Sequence, residues 1–166
     1  MNEGIIQIYY GEGHGKSTAA IGNAIRCASE GKSVIIIQFL KGKNENELAF
    51  LNRLEPEIKI FRFAKSDESF EELSEQEQQE EAMNLRNGFN YGKKVVTTAA
   101  CDMLILDEVL GVIDEKVVTP QEMQELFENK PDDMTLICTG RVLEDSIRPY
   151  ADEIYNIAPE KIGIDE

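Results

Sequence analysis

Seven residues near the amino terminus combine glycines, a lysine and a hydroxyl group in a pattern typical of phosphate binding. They run from Gly11 to Ser17 and read Gly-Glu-Gly-His-Gly-Lys-Ser. Glycines let backbone N–H groups turn inward around phosphate oxygens, Lys16 adds a positive charge, and the Ser17 hydroxyl is a ligand for Mg²⁺. The segment follows an apolar run and opens a helical pattern, whose N-terminus favours an anion. We therefore predict that it binds the phosphates of a nucleoside triphosphate.

The spacing of this loop departs from the usual phosphate-binding motif, in which a glycine and four further residues precede Gly-Lys-Ser/Thr. Tyr10 stands at the position of that first glycine. His14, the single histidine of the chain, either contacts a phosphate or faces solvent, and its spacing does not support a role as general base. The alternative for the whole segment is a glycine-rich turn with a solvent-facing lysine, which the flanking strand and helix patterns disfavour.

Two carboxylates and an arginine follow later apolar runs. Asp107 and Glu108 come directly after Met-Leu-Ile-Leu, at the carboxyl end of a predicted strand, where ligands collect in open α/β sheets. They are natural ligands for Mg²⁺, and helix capping is the alternative. Arg141 ends the next predicted strand and could neutralise phosphate charge or form a surface ion pair. Arg26, on the first helix, could approach the nucleotide or pair with an acidic neighbour.

Apolar and helical patterns alternate along the chain. Strands are predicted at residues 5–10, 33–39, 58–63, 103–106, 134–138 and 153–157. Helices are predicted at residues 16–29, 47–54, 74–100 with a break at Gly88 or Gly92, 119–130, and 142–151. Ser74 with Glu77 and Thr119 with Glu122 suit capping boxes. This alternation predicts an α/β fold with a mostly parallel sheet of about six strands flanked by helices.

Composition narrows the class of protein. With 166 residues we expect one domain, spanning 1–166. The net charge of −15 disfavours a nucleic-acid partner, no apolar run is long enough to span a membrane, and the amino terminus lacks a signal peptide, so we expect a cytoplasmic protein. The three cysteines are expected to be small core residues. The charged run at residues 65–81 is interpreted as a solvated loop and helix face.

Five motifs in order resemble the ATP:corrinoid adenosyltransferases. They are Gly-Glu-Gly-His-Gly-Lys-Ser-Thr-Ala-Ala at 11–20, Gln-Phe-Leu-Lys-Gly at 38–42, Leu-Asp-Glu-Val at 106–109, Thr-Gly-Arg at 139–141 and Gly-Ile-Asp at 163–165. The loop of that family typically reads Gly-Asn-Gly-Lys-Gly-Lys-Thr-Thr-Ala-Ala, with the same shortened spacing. The resemblance covers most of the chain.

The resemblance implies a RecA-like P-loop fold in which ATP lies reversed, so that its 5′ carbon is open to attack by the Co(I) of a reduced corrinoid and triphosphate leaves. It implies that Ser17 and Glu108 hold Mg²⁺ with support from Asp107, and that Lys16 and Glu108 are catalytic. The nucleotide-binding residues would be Gly11, Glu12, Gly13, His14, Gly15, Lys16, Ser17, Thr18, Arg26 and Arg141. An electron-donor protein such as a flavodoxin and a homodimer are further expectations.

The chain departs from the family pattern in two segments. A segment resembling Lys-His-x-Phe/Tyr and Gly-Ile-x-Ala-Gln before the terminal Gly-Ile-Glu/Asp is missing, and so is the aromatic loop resembling Gly-Phe-Thr-Trp. Phe70 is the remaining aromatic residue for corrinoid contact, with a core or surface role as the alternative. The chain starts close to its first strand, so we expect no N-terminal extension over the site. The competing functions are a nucleotide-binding or regulatory P-loop ATPase that has lost the corrinoid site, and a small P-loop kinase.

Overall fold

The protein is built on one six-stranded sheet. The computed structural model describes residues 3–40 and 49–163, so the motif residues 41–42 and 164–165 lie outside the described part. The strands are β1 (Ile6–Tyr10), β2 (Val34–Gln38), β3 (Ile58–Arg62), β4 (Met103–Asp107), β5 (Thr135–Gly140) and β6 (Glu153–Asn156). Their order is β3-β2-β4-β5-β1-β6, and every neighbouring pair is parallel. The predicted α/β fold with a six-stranded sheet is confirmed.

Helices cover both faces of this sheet. They are α1 (Lys16–Ser29), α2 (Glu75–Thr98), α3 (Val109–Asp114) and α4 (Pro120–Glu128), with 3₁₀ turns at Asn52–Leu54, Phe70–Glu72 and Asp145–Tyr150. Within the described ranges, no helix is long and apolar enough to cross a membrane.

Alternating residues of the central strands enter two separate cores. Ile36 of β2 and Ile105 of β4 pack with Ala20 and Ala24 of α1 on one face. Their sequence neighbours point the opposite way into a larger cluster that includes Phe89 of α2. Because β2 and β4 are buried along their whole length, they read as the continuous apolar runs expected of strands covered on both sides.

Local signals located most helices, and three predictions need correction. Both capping boxes are present, at Ser74 and Thr119. Helix α2 is unbroken, so the predicted interruption at Gly88 or Gly92 is wrong. The helix predicted at 142–151 is only a 3₁₀ turn that contains Pro149, because proline lacks the N–H that an α-helix needs. Of the helix predicted at 47–54, residues 49–51 are helical and continue into a 3₁₀ turn, and 47–48 lie outside the described part.

The sheet order brings the predicted chemical groups to one edge. Strand β1 leads into the glycine loop, β5 into Arg141, and β4 into the acidic pair, and these three strands are adjacent. The register pairs Tyr10 with Gly140 across β1 and β5. Parallel strands end on the same side, so the loop, the arginine and the carboxylates meet there.

An ion pair joins α2 to the start of α4. The Arg86 guanidinium donates hydrogen bonds to both Glu122 carboxylate oxygens and, at 3.3 Å, to the Val117 carbonyl. The hydrogen bond from Arg86, more than any other contact, lowers the pKa of Glu122 to about 2. The charged form of Glu122 is therefore favoured in the folded protein.

Replacing Glu122 by glutamine should lower the free energy of unfolding at pH 7 by about 1 kcal/mol, a value discounted because the Arg86 side chain is 39% exposed. A depressed carboxyl pKa stabilises the fold above the unfolded pKa of 4.5, and that stabilisation is lost as pH falls through about 2. Urea unfolding of wild type and E122Q should therefore show a gap at pH 7 that narrows below pH 4.5. Glu125, exposed on the same helix, supplies the control E125Q, and an equal loss in that variant would contradict the assignment.

Candidate nucleotide site

The loop from Gly11 to Gly15 turns through backbone conformations that side chains disfavour. Gly11 has φ +126° and Gly15 has φ +107°, in the left-handed region that glycine adopts without strain. The Gly11 N–H donates to the carbonyls of Gly140 and Arg141 at 3.1 Å each, and the Gly13 N–H donates to the Ile157 carbonyl at 2.8 Å. The chain segments that follow β5 and β6 thus hold the loop in place.

Tyr10 explains the shortened spacing of the motif. It is the last residue of β1, and the turn begins one residue later at Gly11. Its hydroxyl accepts a hydrogen bond from the Arg148 guanidinium at 3.2 Å, and the Arg148 Cζ lies 5.2 Å from the centre of its ring. A glycine is not required at this position because the chain there is still in strand conformation.

The glycine loop delivers the chain to the amino terminus of α1. Gly15 is the N-cap of this helix, no side chain caps it, and its first turn contains no acidic residue. Unpaired helix N–H groups and the helix dipole favour an anion at such an end. The Lys16 ammonium donates to the Gly13 carbonyl at 2.7 Å, across the loop. His14 and Thr18 are exposed beside it.

Asp107 joins the loop to the end of β4. Its Oδ1 accepts a hydrogen bond from the Ser17 hydroxyl at 2.8 Å and another from the Thr139 hydroxyl at 2.7 Å. The Asp107 residue is only 3% exposed, so these donors compensate for the burial of its charge. Ser17 and Asp107, which the sequence placed 90 residues apart, are in direct contact.

Glu108 occupies an unusual backbone conformation. Its φ of 65° and ψ of 20° are left-handed, which is uncommon for a residue with a side chain. Its N–H donates to the Thr139 hydroxyl at 2.9 Å, so the threonine links both acidic residues. The strained residue lies where β4 ends and α3 begins, directly after Asp107, which binds the Ser17 hydroxyl.

The donor set at this edge suits Mg²⁺. Hydroxyl and carboxylate oxygens of Ser17 and Asp107 lie together, and a hard cation prefers oxygen ligands. Throughout residues 3–40 and 49–163, no group of three or more His, Cys, Asp or Glu side chains forms a protein cage for a metal. Mg²⁺ usually takes one or two protein ligands and completes its shell with phosphates and water.

Arg141 contacts the loop through an ion pair. Its guanidinium donates to both carboxylate oxygens of Glu12, at 3.1 and 3.2 Å. The hydrogen bond that Arg141 donates to Glu12 raises the pKa of Arg141, and both side chains are largely exposed, at 70% and 63%. The arginine therefore stands beside the phosphate-binding loop, at its solvent side, as the strand order predicts.

Arg26 does not join this site. It lies in the last turn of α1, ten residues and about 15 Å along the axis from Lys16. It lines a separate cavity at the opposite edge of the sheet, with Asp102 and Thr135, which stand at the starts of β4 and β5. The prediction that Arg26 approaches the nucleotide is not supported, because α1 runs antiparallel to the strands and carries its last turn away from the loop.

A cavity of about 400 Å³ lies beside the loop, above the ends of β2, β3 and β5. Arg141 lines it, together with Leu40, Ala64, Phe70, Glu71 and Glu115. Phe70 is partly buried and packs against the larger core, and it faces this cavity as well. The structure thus brings Phe70 and Arg141 to one opening.

Several residues of the site escaped prediction. Thr139 binds both Asp107 and the Glu108 N–H, and the signal for it is a polar residue at the end of a buried apolar strand. Ile157 supports the loop through its backbone carbonyl. Any residue has such a carbonyl, so the sequence gives no signal for this role. Arg148 covers Tyr10 from a segment predicted as an ordinary helix.

Comparisons with known proteins identify the family of this chain. The family model described as ATP:corrinoid adenosyltransferase BtuR/CobO/CobP matches residues 2–166. The corrinoid adenosyltransferase of Escherichia coli K12 is 29% identical over 162 residues, covering 98% of this chain and 80% of the relative. The corrinoid adenosyltransferase CobA of Salmonella typhimurium is 30% identical with the same coverage.

A solved structure supports the fold. The flagellar accessory protein FlaH from Methanocaldococcus jannaschii superposes with a TM-score of 0.62 at 17% identity, over 94% of this chain and 72% of FlaH. The predicted RecA-like P-loop fold is confirmed. Together with the family match along nearly the whole sequence, this means that the chain belongs to the ATP:corrinoid adenosyltransferase family.

Proposed function

We propose that the protein transfers the 5′-deoxyadenosyl group of ATP to the Co(I) of a reduced corrinoid and releases triphosphate. The observation that carries the proposal is that the phosphate-binding loop and a second cavity open side by side and share Arg141. Transfer between two substrates requires such adjacent sites, since their reacting atoms must meet. The curated relatives, named as corrinoid adenosyltransferases, support the same activity.

The electrons balance without a further oxidant. Co(I) supplies the electron pair of the new Co–C bond and becomes formally Co(III). The bond from C5′ to its ester oxygen breaks, and that oxygen leaves with its electron pair as part of triphosphate. No proton needs to move in this step, so a general base such as His14 is not required, in keeping with its exposed position.

The chain's own residues stabilise the leaving group. In this proposal the triphosphate lies against the Lys16 ammonium and the amides at the uncapped start of α1, which would stabilise the negative charge that grows as the ester bond breaks. Ser17, Asp107 and Glu108 would hold Mg²⁺, which neutralises phosphate charge when bound. Thr139 keeps Asp107 and the Glu108 backbone in position. Arg141, which is paired with Glu12, would contact phosphate once that ion pair opens.

The setting of the reaction follows from its chemistry. Co(I) is strongly reducing, so the reaction needs an electron donor, and we propose a donor protein such as a flavodoxin in the cytoplasm. The homodimer and the single domain expected for residues 1–166 stay predictions.

The reaction itself is tested by mixing the protein with ATP, Mg²⁺ and chemically reduced cob(I)alamin. We expect the absorbance change of Co–C bond formation together with stoichiometric triphosphate. ATP binding without either signal would refute the transferase. ADP and phosphate formed without corrinoid would instead favour the regulatory ATPase.

Lys16→Ala should weaken ATP binding by about 10- to 100-fold, as expected for loss of a hydrogen bond to a charged group. Calorimetric titration with ATP measures the change. Lys94, exposed on α2, gives the matched control K94A, which should bind ATP as the wild type does. Unchanged affinity in K16A would count against the loop assignment.

Asp107→Asn should raise the Mg²⁺ concentration needed for half-maximal activity by about tenfold, because the amide can still accept from Ser17 and Thr139 but carries no charge. The measurement is the initial rate against Mg²⁺ at saturating ATP. Asp114, at the end of α3, provides the control D114N. Equal Mg²⁺ dependence in D107N and wild type would exclude Asp107 from metal binding.

A further inference from the structure

The segment from Lys65 to Phe70, between β3 and α2, is held by hydrogen bonds from one helix. We call residues 65–70 the wall segment because Ser66, Asp67, Glu68, Ser69 and Phe70 line the cavity beside the nucleotide loop. It belongs to the charged run that the sequence interpretation placed in solvent. The structure corrects that interpretation at Glu81, which is 6% exposed.

Glu81 lies on α2 and its carboxylate binds the beginning of the wall segment. Its Oε1 accepts the Lys65 N–H at 2.9 Å, and its Oε2 accepts the Ser66 N–H at 2.6 Å. The Asn84 side chain donates to Oε1 at 3.2 Å. Three donors therefore surround a nearly buried charge, and hydrogen bonds to a charged acceptor are short and strong.

Gln78 binds the other end of the wall segment from the same face of the helix. Its side-chain amide donates to the Phe70 carbonyl at 2.9 Å. Residues three apart on a helix are neighbours on its surface, so Gln78 and Glu81 act as two adjacent anchors. Between them, the Ser66 hydroxyl accepts the Glu68 N–H at 3.1 Å and tightens the turn.

The geometry points to Glu81 as a positioning residue for the second substrate. We propose that its carboxylate fixes the wall segment so that Phe70 and the neighbouring backbone form one side of the cavity that opens next to Arg141. This rests on the proposed function, since it takes the occupant of that cavity to be the corrinoid. Glu81 also lines this cavity, but both of its carboxylate oxygens are bound to the wall segment, so it acts through the segment that it binds.

The choice of residue type supports a positional role. A carboxylate accepts from two neighbouring N–H groups at once, whereas a glutamine has one acceptor oxygen and turns an N–H₂ donor towards the other amide. Glu81→Gln therefore leaves one backbone N–H without an acceptor while keeping the size of the side chain. We expect the start of the wall segment to detach and Phe70 to become more mobile.

A fluorescent reporter detects this movement without any substrate. The chain contains no tryptophan, so F70W introduces the single indole at the wall. In the F70W background, E81Q should shift the emission to longer wavelength and raise acrylamide quenching about twofold, because the indole gains access to water. Glu80, the exposed neighbour of Glu81 on α2, supplies the matched control E80Q, which should leave both signals unchanged.

Kinetics then separate positioning from general destabilisation. With Phe70 intact, E81Q should raise KM for cob(I)alamin about tenfold, as for the loss of one hydrogen bond to a charged group, while the Kd for ATP stays within twofold of wild type. Gln78→Ala, which removes the anchor at Phe70, should act in the same direction with a smaller effect. It serves as the test if E81Q does not fold.

The outcomes distinguish this inference from the function on which it rests. Unchanged fluorescence in both E81Q and Q78A overturns the anchoring, and so does a parallel loss of ATP and corrinoid affinity. A spectral change with an unaltered corrinoid KM overturns the positional role. If E81Q in the F70W background shows the spectral change but neither the wild type nor any variant transfers the adenosyl group, the anchoring stands and the proposed function fails.

Discussion

The hydrogen bonds to Asp107 are the interaction on which the rest of the site depends. One buried Asp107 oxygen accepts hydrogen bonds from the hydroxyls of Ser17 and Thr139. Ser17 belongs to α1, Asp107 to β4 and Thr139 to β5. These hydrogen bonds hold the side chains from the three elements in fixed positions relative to one another. An unpaired carboxylate at that depth would be costly, so the donors and the acceptor require one another.

Sequence patterns predicted the parts of the protein that depend on local chemistry. The glycine loop, the acidic pair after β4 and the capping boxes at Ser74 and Thr119 follow from the geometry that particular residue types impose. The strands β2 and β4 followed from continuous apolar runs, as expected of strands covered on both faces. The order of the six strands decides which groups meet, and it depends on long-range pairing that no local pattern encodes.

The errors arose where position in the fold outweighs residue type. Arg26 had a plausible spacing from Lys16, yet the direction of α1 carries it to the far edge of the sheet. Glu81 stood in a polar run, yet it is buried because two backbone N–H groups meet its carboxylate. Ile157 contributes only a carbonyl oxygen. Such roles belong to backbone geometry and could not be inferred from composition.

The contact between Gly13 and Ile157 bears on how the enzyme would let its product go. Triphosphate carries more negative charge than the ester from which it departs, so a loop built for the reaction risks retaining it afterwards. Because the Gly13 N–H already donates a hydrogen bond to the Ile157 carbonyl at 2.8 Å, it is not available to bind an anion. In the proposed reaction, a weaker hold on the free anion would favour turnover, and the residues following β6 would thereby influence the rate of release.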